Sequence, residues 1–335
     1  MTCVLAPRLA LLLCALASVA ASLQGLYTTL PTSGQMLLVD WAMGNASSVG
    51  ASLEAQGWRV PTCTPSSIDP TNKWYFTLAR NSSLAVNSPW NVVTASLADG
   101  GVVASAPLPP SFPSVQNACD YALCAGGALE VFVSVETPDL RVLAGGLSPE
   151  FPHTFALLVN ATIDQLGVGR LVSPPSMAVT SSALWLAGQQ GVAGAPLVGA
   201  AAPPRRLPLS AGSTFRGLHA APGDVVYSLL QGQGAAYIAS FVDTGAGTPS
   251  LVRAATSLPP LFSSAETVLT ALLSDKNSFA LLADGSRLVT ANATSGALVS
   301  SVLLSCSNAT LPLRVGTGSG AVPCPCSIAY EPFVF

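Results

Sequence analysis

The sequence predicts an all-β fold, a ring of repeated units of about four short strands each, and three observations predict it. Residues 92–109, VVTASLADGGVVASAPLP, recur without a gap as residues 288–305, LVTANATSGALVSSVLLS, with apolar residues at the same alternating positions. Each copy reads as strand, turn, strand, with Gly100 and Gly296 where a tight hairpin needs positive φ. An aromatic-plus-aliphatic segment also recurs, at 25–29 (GLYTT), 74–78 (WYFTL), 183–187 (ALWLA), 225–229 (VVYSL) and 279–282 (FALL), each followed by turn residues. Charged residues make up only 9% of the chain, against roughly 25% in ordinary soluble domains, while 29 Gly and 27 Pro supply turns for many short strands.

In chain order, residues 1–21 read as a secretory signal. Arg8 precedes an unbroken apolar stretch at 9–17, and Ser18-Val19-Ala20-Ala21 offers small residues at the cleavage site. That apolar core is shorter than the roughly 20 residues that span a bilayer, and no later segment reaches the length uninterrupted, so the mature chain is expected to lack a membrane span. Residues 22–335 then read as a single domain of about six units, with seven also compatible. The units fall at 23–57, 64–109, 119–174, 175–210, 213–259 and 262–305. Hairpins at 37–54, 92–108, 237–258 and 288–304 are clear, and the one at 197–209 is degraded. Segments 129–135, 140–147, 154–160 and 167–172 supply one further unit of about four strands. The first unit is short by one strand, and the strand-like C-terminal segment 327–335 is expected to pair with it, closing the ring and removing exposed sheet edges. The best helical window, 265–274 (AETVLTALLS), lies among strands and reads as a loop with about one turn.

On these residues the chain resembles the secreted β-propeller superfamily, six- or seven-bladed proteins with a recurring hairpin that ends in an Asp-Gly or Ser-Gly turn. The resemblance covers nearly the whole mature chain. No WD dipeptide is present and the Gly-Gly pairs do not recur from unit to unit as a kelch mark, so it implies a fold and no ligand. Two β-sandwich domains meeting near Pro203-Pro204 are the alternative architecture.

A formal net charge of -3, without a basic patch, argues against a nucleic-acid partner. A surface short of charge needs another route to solubility, and attached sugar is one. Sequons stand at Asn45, Asn81, Asn160, Asn292 and Asn308. Asn45, Asn160 and Asn292 are expected at the last hairpin turn of their units, on one rim, with Asn81 and Asn308 on the opposite face. Removal of the signal leaves Cys63, Cys119, Cys124, Cys306, Cys324 and Cys326, an even number in an oxidising compartment, compatible with three disulfides. Cys119 with Cys124 would close a short local loop, and Cys306 with Cys324 or Cys326 would tie down the C-terminal segment. A zinc site at Cys306, Cys324 and Cys326 is the alternative, at a spacing unlike common zinc knuckles.

Long, proline-rigidified loops on a closed scaffold are where binding usually resides. Residues 107–124, holding Asp120, and 203–216, holding Arg205 and Arg206, are the candidate ligand loops, expected on one face. Catalytic material is sparse. His153 and His219 fall in unrelated units, Glu130, Glu136 and Asp139 form the nearest acid cluster, and no G-x-S-x-G elbow occurs. Asp69, Asp224 and Asp275 precede aromatic strands and are expected to fix turns rather than bind calcium. The run GTGSG at 316–320 reads as a connector. The expectation is a secreted, N-glycosylated extracellular or cell-surface binding protein with a protein or glycan ligand, no cofactor and no catalytic activity. The alternatives are an extracellular hydrolase or lyase on the same scaffold and a structural cell-coat or matrix component.

Overall fold

The structure is a computed structural model that describes residues 25–303 and 328–331, except 31–32, 41–44, 62–64, 70–71, 115–116, 127–129, 149–153, 173–174, 198–202, 265–267, 274–277 and 284–286. The signal segment, Cys63, Cys306, Cys324, Cys326, His153, Asp275, Asn308 and residues 316–320 lie outside the described residues, as does the side chain of Cys119.

Short strands form five four-stranded antiparallel sheets and one five-stranded sheet. The first contains β1 (Gly25–Thr29), β2 (Met36–Asp40) and β3 (Asn45–Val49), completed on the β1 side by β25 (Ile328–Glu331). Leu26 pairs with Tyr330 and Thr28 with Ile328, so the two ends of the chain share one sheet. The second holds β4 (Trp58–Arg59), β5 (Ser66–Asp69), β6 (Trp74–Asn81), β7 (Asn91–Ser96) and β8 (Val102–Pro107). The third holds β9 (Tyr121–Ala125), β10 (Val131–Glu136), β11 (Arg141–Leu147) and β12 (Phe155–Thr162). The fourth is β13 (Met177–Val179), β14 (Ala183–Gly188), β15 (Gly191–Pro196) and β16 (Arg205–Pro208). The fifth is β17 (Ser213–Ala221), β18 (Val225–Gly232), β19 (Ala235–Val242) and β20 (Val252–Arg253). The sixth is β21 (Val268–Leu273), β22 (Ser278–Ala283), β23 (Arg287–Asn292) and β24 (Leu298–Leu303).

The innermost strands β25, β5, β9, β13, β17 and β21 each lie against the next, and β21 returns to β25. This closed ring of sheets is a β-propeller. Its core is divided among the gaps between sheets. Phe76, Val92, Tyr121 and Val133 fill the gap between the second and third sheets, and Trp185, Val192, Phe215 and Phe241 the gap between the fourth and fifth. Val39 packs on Ala271, Leu282 and Leu288, closing the ring between the sixth sheet and the first.

Because neighbouring sheets cover both faces, central strands are buried at consecutive residues rather than alternate ones. All of β14 is buried, and β6 is buried from Tyr75 through Arg80. Two-sided burial selects near-continuous apolar runs, which accounts physically for a chain that is 50% hydrophobic and poor in charge. The recurring aromatic segment occupies β1, β6, β14, β18 and β22, the strand next to the innermost one in each sheet. The sequence 265–274 behaves otherwise than expected: one helical turn, Leu261–Ser264, precedes it, and Val268–Leu273 is an innermost strand. Both faces of that strand meet protein, so its apolar residues follow no strict alternation.

Candidate functional site

The connection from β8 to β9 and the connection from β6 to β7 emerge at the same end of the second sheet and enclose a cleft of about 420 Å³. Its walls are Pro89, Trp90, Leu108, Pro109, Pro110, Phe112, Pro113, Ser114 and Tyr121. The chain reaches this geometry through stacked rings. Phe112 stacks on Tyr121 with centroids 6.3 Å apart and meets Phe155 edge-on at 5.5 Å. The Tyr121 hydroxyl donates to the Pro113 carbonyl at 2.6 Å, folding the proline segment back over its own strand. Burial pushes the Tyr121 phenol well above its ordinary range, with nearby Arg80 pulling the other way.

Arg80 ties the two walls together from beneath. Its guanidinium lies 3.8 Å from the centre of the Trp90 ring and donates to the carbonyls of Val86, on one wall, and Ser114, on the other. Burial lowers its pKa, and its Nε has no partner among the described residues. Sequence reasoning did not single out Arg80, because a charged residue inside an apolar strand gives no hint of the carbonyls it will meet. Asp120 sits in the 3-10 turn Ala118–Asp120 just before Tyr121, half-buried, and is not part of the cleft lining.

The second predicted loop, 203–216, contains strand β16, the short connection 209–212 and the start of β17. Arg205 and Arg206 begin β16 and pair with Gly194 and Ala193 in the middle of β15. Both arginines are engaged in holding sheets together. Arg205 pairs with Asp243, whose side chain is fully buried, and Asp243 also accepts from Thr180, from Ser182 at 2.8 Å, from the Trp185 indole at 3.1 Å and from the Gly245 N–H at 3.0 Å. Burial alone would raise the Asp243 carboxyl, but the donors from Thr180, Gly245, Arg205 and Ser182 together hold it well below the usual carboxylate range. Arg206 donates to the Gln165 carbonyl at 2.7 Å, across to the helical turn Ile163–Leu166 of the third sheet. The 107–124 loop thus forms a cleft, and the two arginines of the second loop are spent on contacts with Asp243 and Gln165 of the neighbouring sheets.

The innermost strands are latched to one another by small polar side chains. The Ala125 N–H donates to Ser67 Oγ at 2.8 Å, the Leu218 N–H donates to Ser176 Oγ at 2.5 Å, and His219 Nε2 and Thr270 Oγ1 share a bond of 2.8 Å. His219 thus joins β17 to β21, with its ring edge-on to Phe279, and burial pushes its pKa down to about 4. Among the described residues, the innermost strands carry two acidic residues, Asp69 of β5 and Glu331 of β25, and one histidine, His219. Asp69 holds its own turn through the Asn72 backbone and side chain, at 3.2 and 2.7 Å. Asp224 accepts from the Ser181 N–H at 2.8 Å, so both described turn aspartates fix connections. Glu136 pairs with Arg170 at 2.7 Å and accepts from the Leu171 N–H, while Glu130 precedes the far end of the same strand. No group of three or more His, Cys, Asp or Glu side chains is placed to hold a metal among the described residues, and none of their helices is long and apolar enough to cross a membrane.

Cys124 is a free thiol in the middle of β9, raised by burial to about 11. Among the described residues Cys124 bonds to no other cysteine, and the side chain of Cys119 lies outside them. The sequons divide differently from expectation. Asn45 opens β3 and Asn292 closes β23, both at the turn between the third and fourth strands of their sheets. Asn160 instead lies near the far end of β12, opposite Leu143, where its Oδ1 accepts from Arg141 Nη2 at 2.6 Å. It belongs with Asn81, at the end of β6, because an eight-residue outer strand carries it away from the hairpin turn.

No protein-family model matches the chain, and no curated protein matches it. Among solved structures, the chain is similar to the β-propeller domain of Cps50 (Swd1) from Myceliophteria thermophila, at 10% identity over 83% of this chain and 89% of that one, with a TM-score of 0.48. It is also similar to a protein from Lactobacillus plantarum, at 16% identity over 83% of this chain and 82% of that one, with a TM-score of 0.47.

Proposed function

We propose that the chain is a secreted, N-glycosylated binding module, without catalytic activity, that takes its ligand in the cleft between the β6–β7 and β8–β9 connections. The observation that carries this reading is the cleft itself: four prolines and three aromatic rings around about 420 Å³, with no charged side chain in the lining. Apolar walls with few polar groups are the usual character of a preformed binding pocket. The ligand class follows from how the nearby polar groups are spent. Tyr121 and Arg80 donate to main-chain carbonyls, so few donors remain for sugar hydroxyls, and an apolar segment of an extracellular protein fits better than a glycan. Propeller scaffolds commonly mediate protein interactions, which agrees with this reading.

The test is capture of extracellular protein by the chain purified from a secretory host, compared with Pro89→Glu and Pro110→Glu, two exposed positions on the cleft rim. Loss of the captured partner at an unchanged melting temperature is expected. Capture that survives both substitutions would overturn the site, and selective retention of a glycan ligand in an array would overturn the ligand class.

A further inference from the structure

We infer that the protein segment taken up by the cleft carries an acidic residue at one end, whose carboxylate seats on Arg59 with Arg80 behind it. This rests on the cleft being the binding site, and adds the charge of its ligand. A single cross-strand row carries the argument. Arg59 of β4 pairs with Arg80 of β6, and residues directly opposite one another share a face of the sheet. The neighbouring pair, Ala79 with Asn91, sets Trp90 opposite Arg80, and the pair of Asn91 with Pro107 sets Leu108 opposite Trp90. The contacts agree: the Arg80 guanidinium lies over the Trp90 ring, and the Leu108 N–H donates to the Trp90 carbonyl at 2.8 Å. Trp90 and Leu108 line the cleft, so the row leads from the cleft, across a buried arginine, to an exposed one.

The row holds two positive charges and no negative one. Among the described residues neither arginine is paired with a carboxylate. Arg80 is only 8% exposed, and the carbonyls of Val86 and Ser114 that engage its guanidinium satisfy donors without neutralising the charge. Burial is the main cause that lowers its pKa, Tyr121 acts the other way, and the charge of Arg59 adds to the burial. Like charges directly opposite each other destabilise a strand pair, and a buried charge without a counter-ion is costly. The folded chain therefore holds an electrostatic strain beside the cleft that its own described residues do not relieve, and an arriving carboxylate relieves it. Arg59 is placed to receive one. It is exposed, and its guanidinium makes no hydrogen bond among the described residues, so its fork of donors is open to a bidentate contact. The direction follows from Asp120, whose charge acts on Tyr121 at the third-sheet side of the cleft and turns an acidic end away, toward β4.

Panning random extended peptides, displayed on phage, against the full chain from a secretory host tests this. Selected sequences are expected to carry Asp or Glu beside an apolar run, and Arg59→Glu is expected to select Lys or Arg there instead. A selected acidic peptide should bind Arg59→Gln about fivefold more weakly at low salt, and ~1 M salt should remove the difference. With no ligand present, Arg59→Glu should raise the melting temperature, because its carboxylate then faces Arg80. Selected peptides without an acidic preference, a preference unchanged by Arg59→Glu, or a melting temperature that does not rise would overturn the inference and leave the cleft standing. Peptides whose binding survives Pro89→Glu and Pro110→Glu, or no selection at all, would overturn the cleft as well. Capture of a sulfated glycan that depends on Arg59 would overturn a protein segment as the occupant.

Discussion

The two copies of the repeated hairpin, β7–β8 and β23–β24, share one backbone and use it for different ends. Both have a register shift at the same place, after Thr94 in the first and after Thr290 in the second. Both turn through a left-handed glycine, with φ of 68° at Gly100 and 75° at Gly296. The Gly100 N–H donates to the Ser96 carbonyl at 2.9 Å, and the Gly296 N–H to the Asn292 carbonyl at 2.8 Å. What differs is attached chemistry. The first hairpin runs on into the proline wall of the cleft, and the second carries a sequon at its turn. Backbone and side chains are therefore under separate constraints: the turn is fixed by the end of the preceding sheet, and everything outside the turn is free to diverge.

The glycines should show this most strongly. A Cβ on Gly100 would stand 2.5 Å from the Val49 carbonyl oxygen, and one on Gly296 would stand 2.3 Å from that of Thr256. Both obstacles are backbone at the outer end of the preceding sheet. Added to the cost of a left-handed alanine, each Gly→Ala substitution is expected to lose about 3 kcal/mol. Urea unfolding of the two variants measures it. A large loss at one position and none at the other would break the equivalence of the hairpins.

Asn292 sharpens the comparison next, because its side chain does work that Ser96 does less of. Asn292 Oδ1 accepts from the Thr294 and Ser295 N–H groups and from Ser295 Oγ, whereas Ser96 Oγ accepts from the Ala98 N–H. Asn292→Ala is expected to cost about 1–2 kcal/mol and Ser96→Ala about 0.5. Asn292→Asp keeps the acceptor and removes the sequon, so it should melt with the unmodified turn while losing any sugar. If Asn292→Asp is as damaging as Asn292→Ala in protein made without glycosylation, the turn does not depend on that oxygen.

These hairpins also mark what was legible in the sequence. Period-two alternation, the Gly turns and the aromatic second strands were readable because each reflects a local backbone need repeated from sheet to sheet. β15, Gly191–Pro196, was hard to find because small residues pack there against Trp185 and give no hydrophobic signal. The roles of Arg80, Arg205 and Asp243 were not readable at all. Their partners are distant in sequence, and a loop arginine has the same appearance whether it meets a ligand or a buried carboxylate. Asn160 was misplaced for a related reason: spacing along a unit does not tell how far an outer strand extends past its turn. The cleft lay half in view, since the proline run at 107–113 was legible as a rigid loop, while its opposing wall at Pro89 and Trp90 depends on the ring bringing two connections together.

A smaller effect, of opposite sign, concerns Thr94 and Thr290. Both are fully buried, both immediately precede the register shift, and neither hydroxyl has a partner among the described residues. A buried, unpaired hydroxyl costs free energy that a methyl group of similar shape does not. Thr94→Val and Thr290→Val are each expected to raise stability by about 1 kcal/mol, additively, since they lie in different sheets. Destabilisation by both would show that the hydroxyls are paired after all, and a gain at only one would show that the two cores differ.

The smallest effect separates the hairpins by pH. Asp99 Oδ1 accepts from the Gly101 N–H at 3.0 Å, and the matching bond in the other copy runs from the Ala297 N–H to Ser295 Oγ at 3.2 Å. One turn thus holds a titratable acceptor and the other does not. The backbone N–H of Gly101, followed by the side-chain hydroxyl of Ser96, lowers the Asp99 carboxyl below its ordinary value of 3.8. A folded pKa below the unfolded one means that the contribution is present above the unfolded value and is lost as pH falls through the folded value. The Gly101 amide resonance should therefore titrate with a midpoint below 3.8, while the Ala297 amide stays flat across the same range. Because Asp99 is exposed, the effect should be confined to the turn and leave global unfolding unmoved. Asp99→Ser should abolish the Gly101 titration and make the first hairpin respond like the second. Parallel titration of both amides in the unaltered chain would mean that acid acts on the ring as a whole and not on this carboxylate.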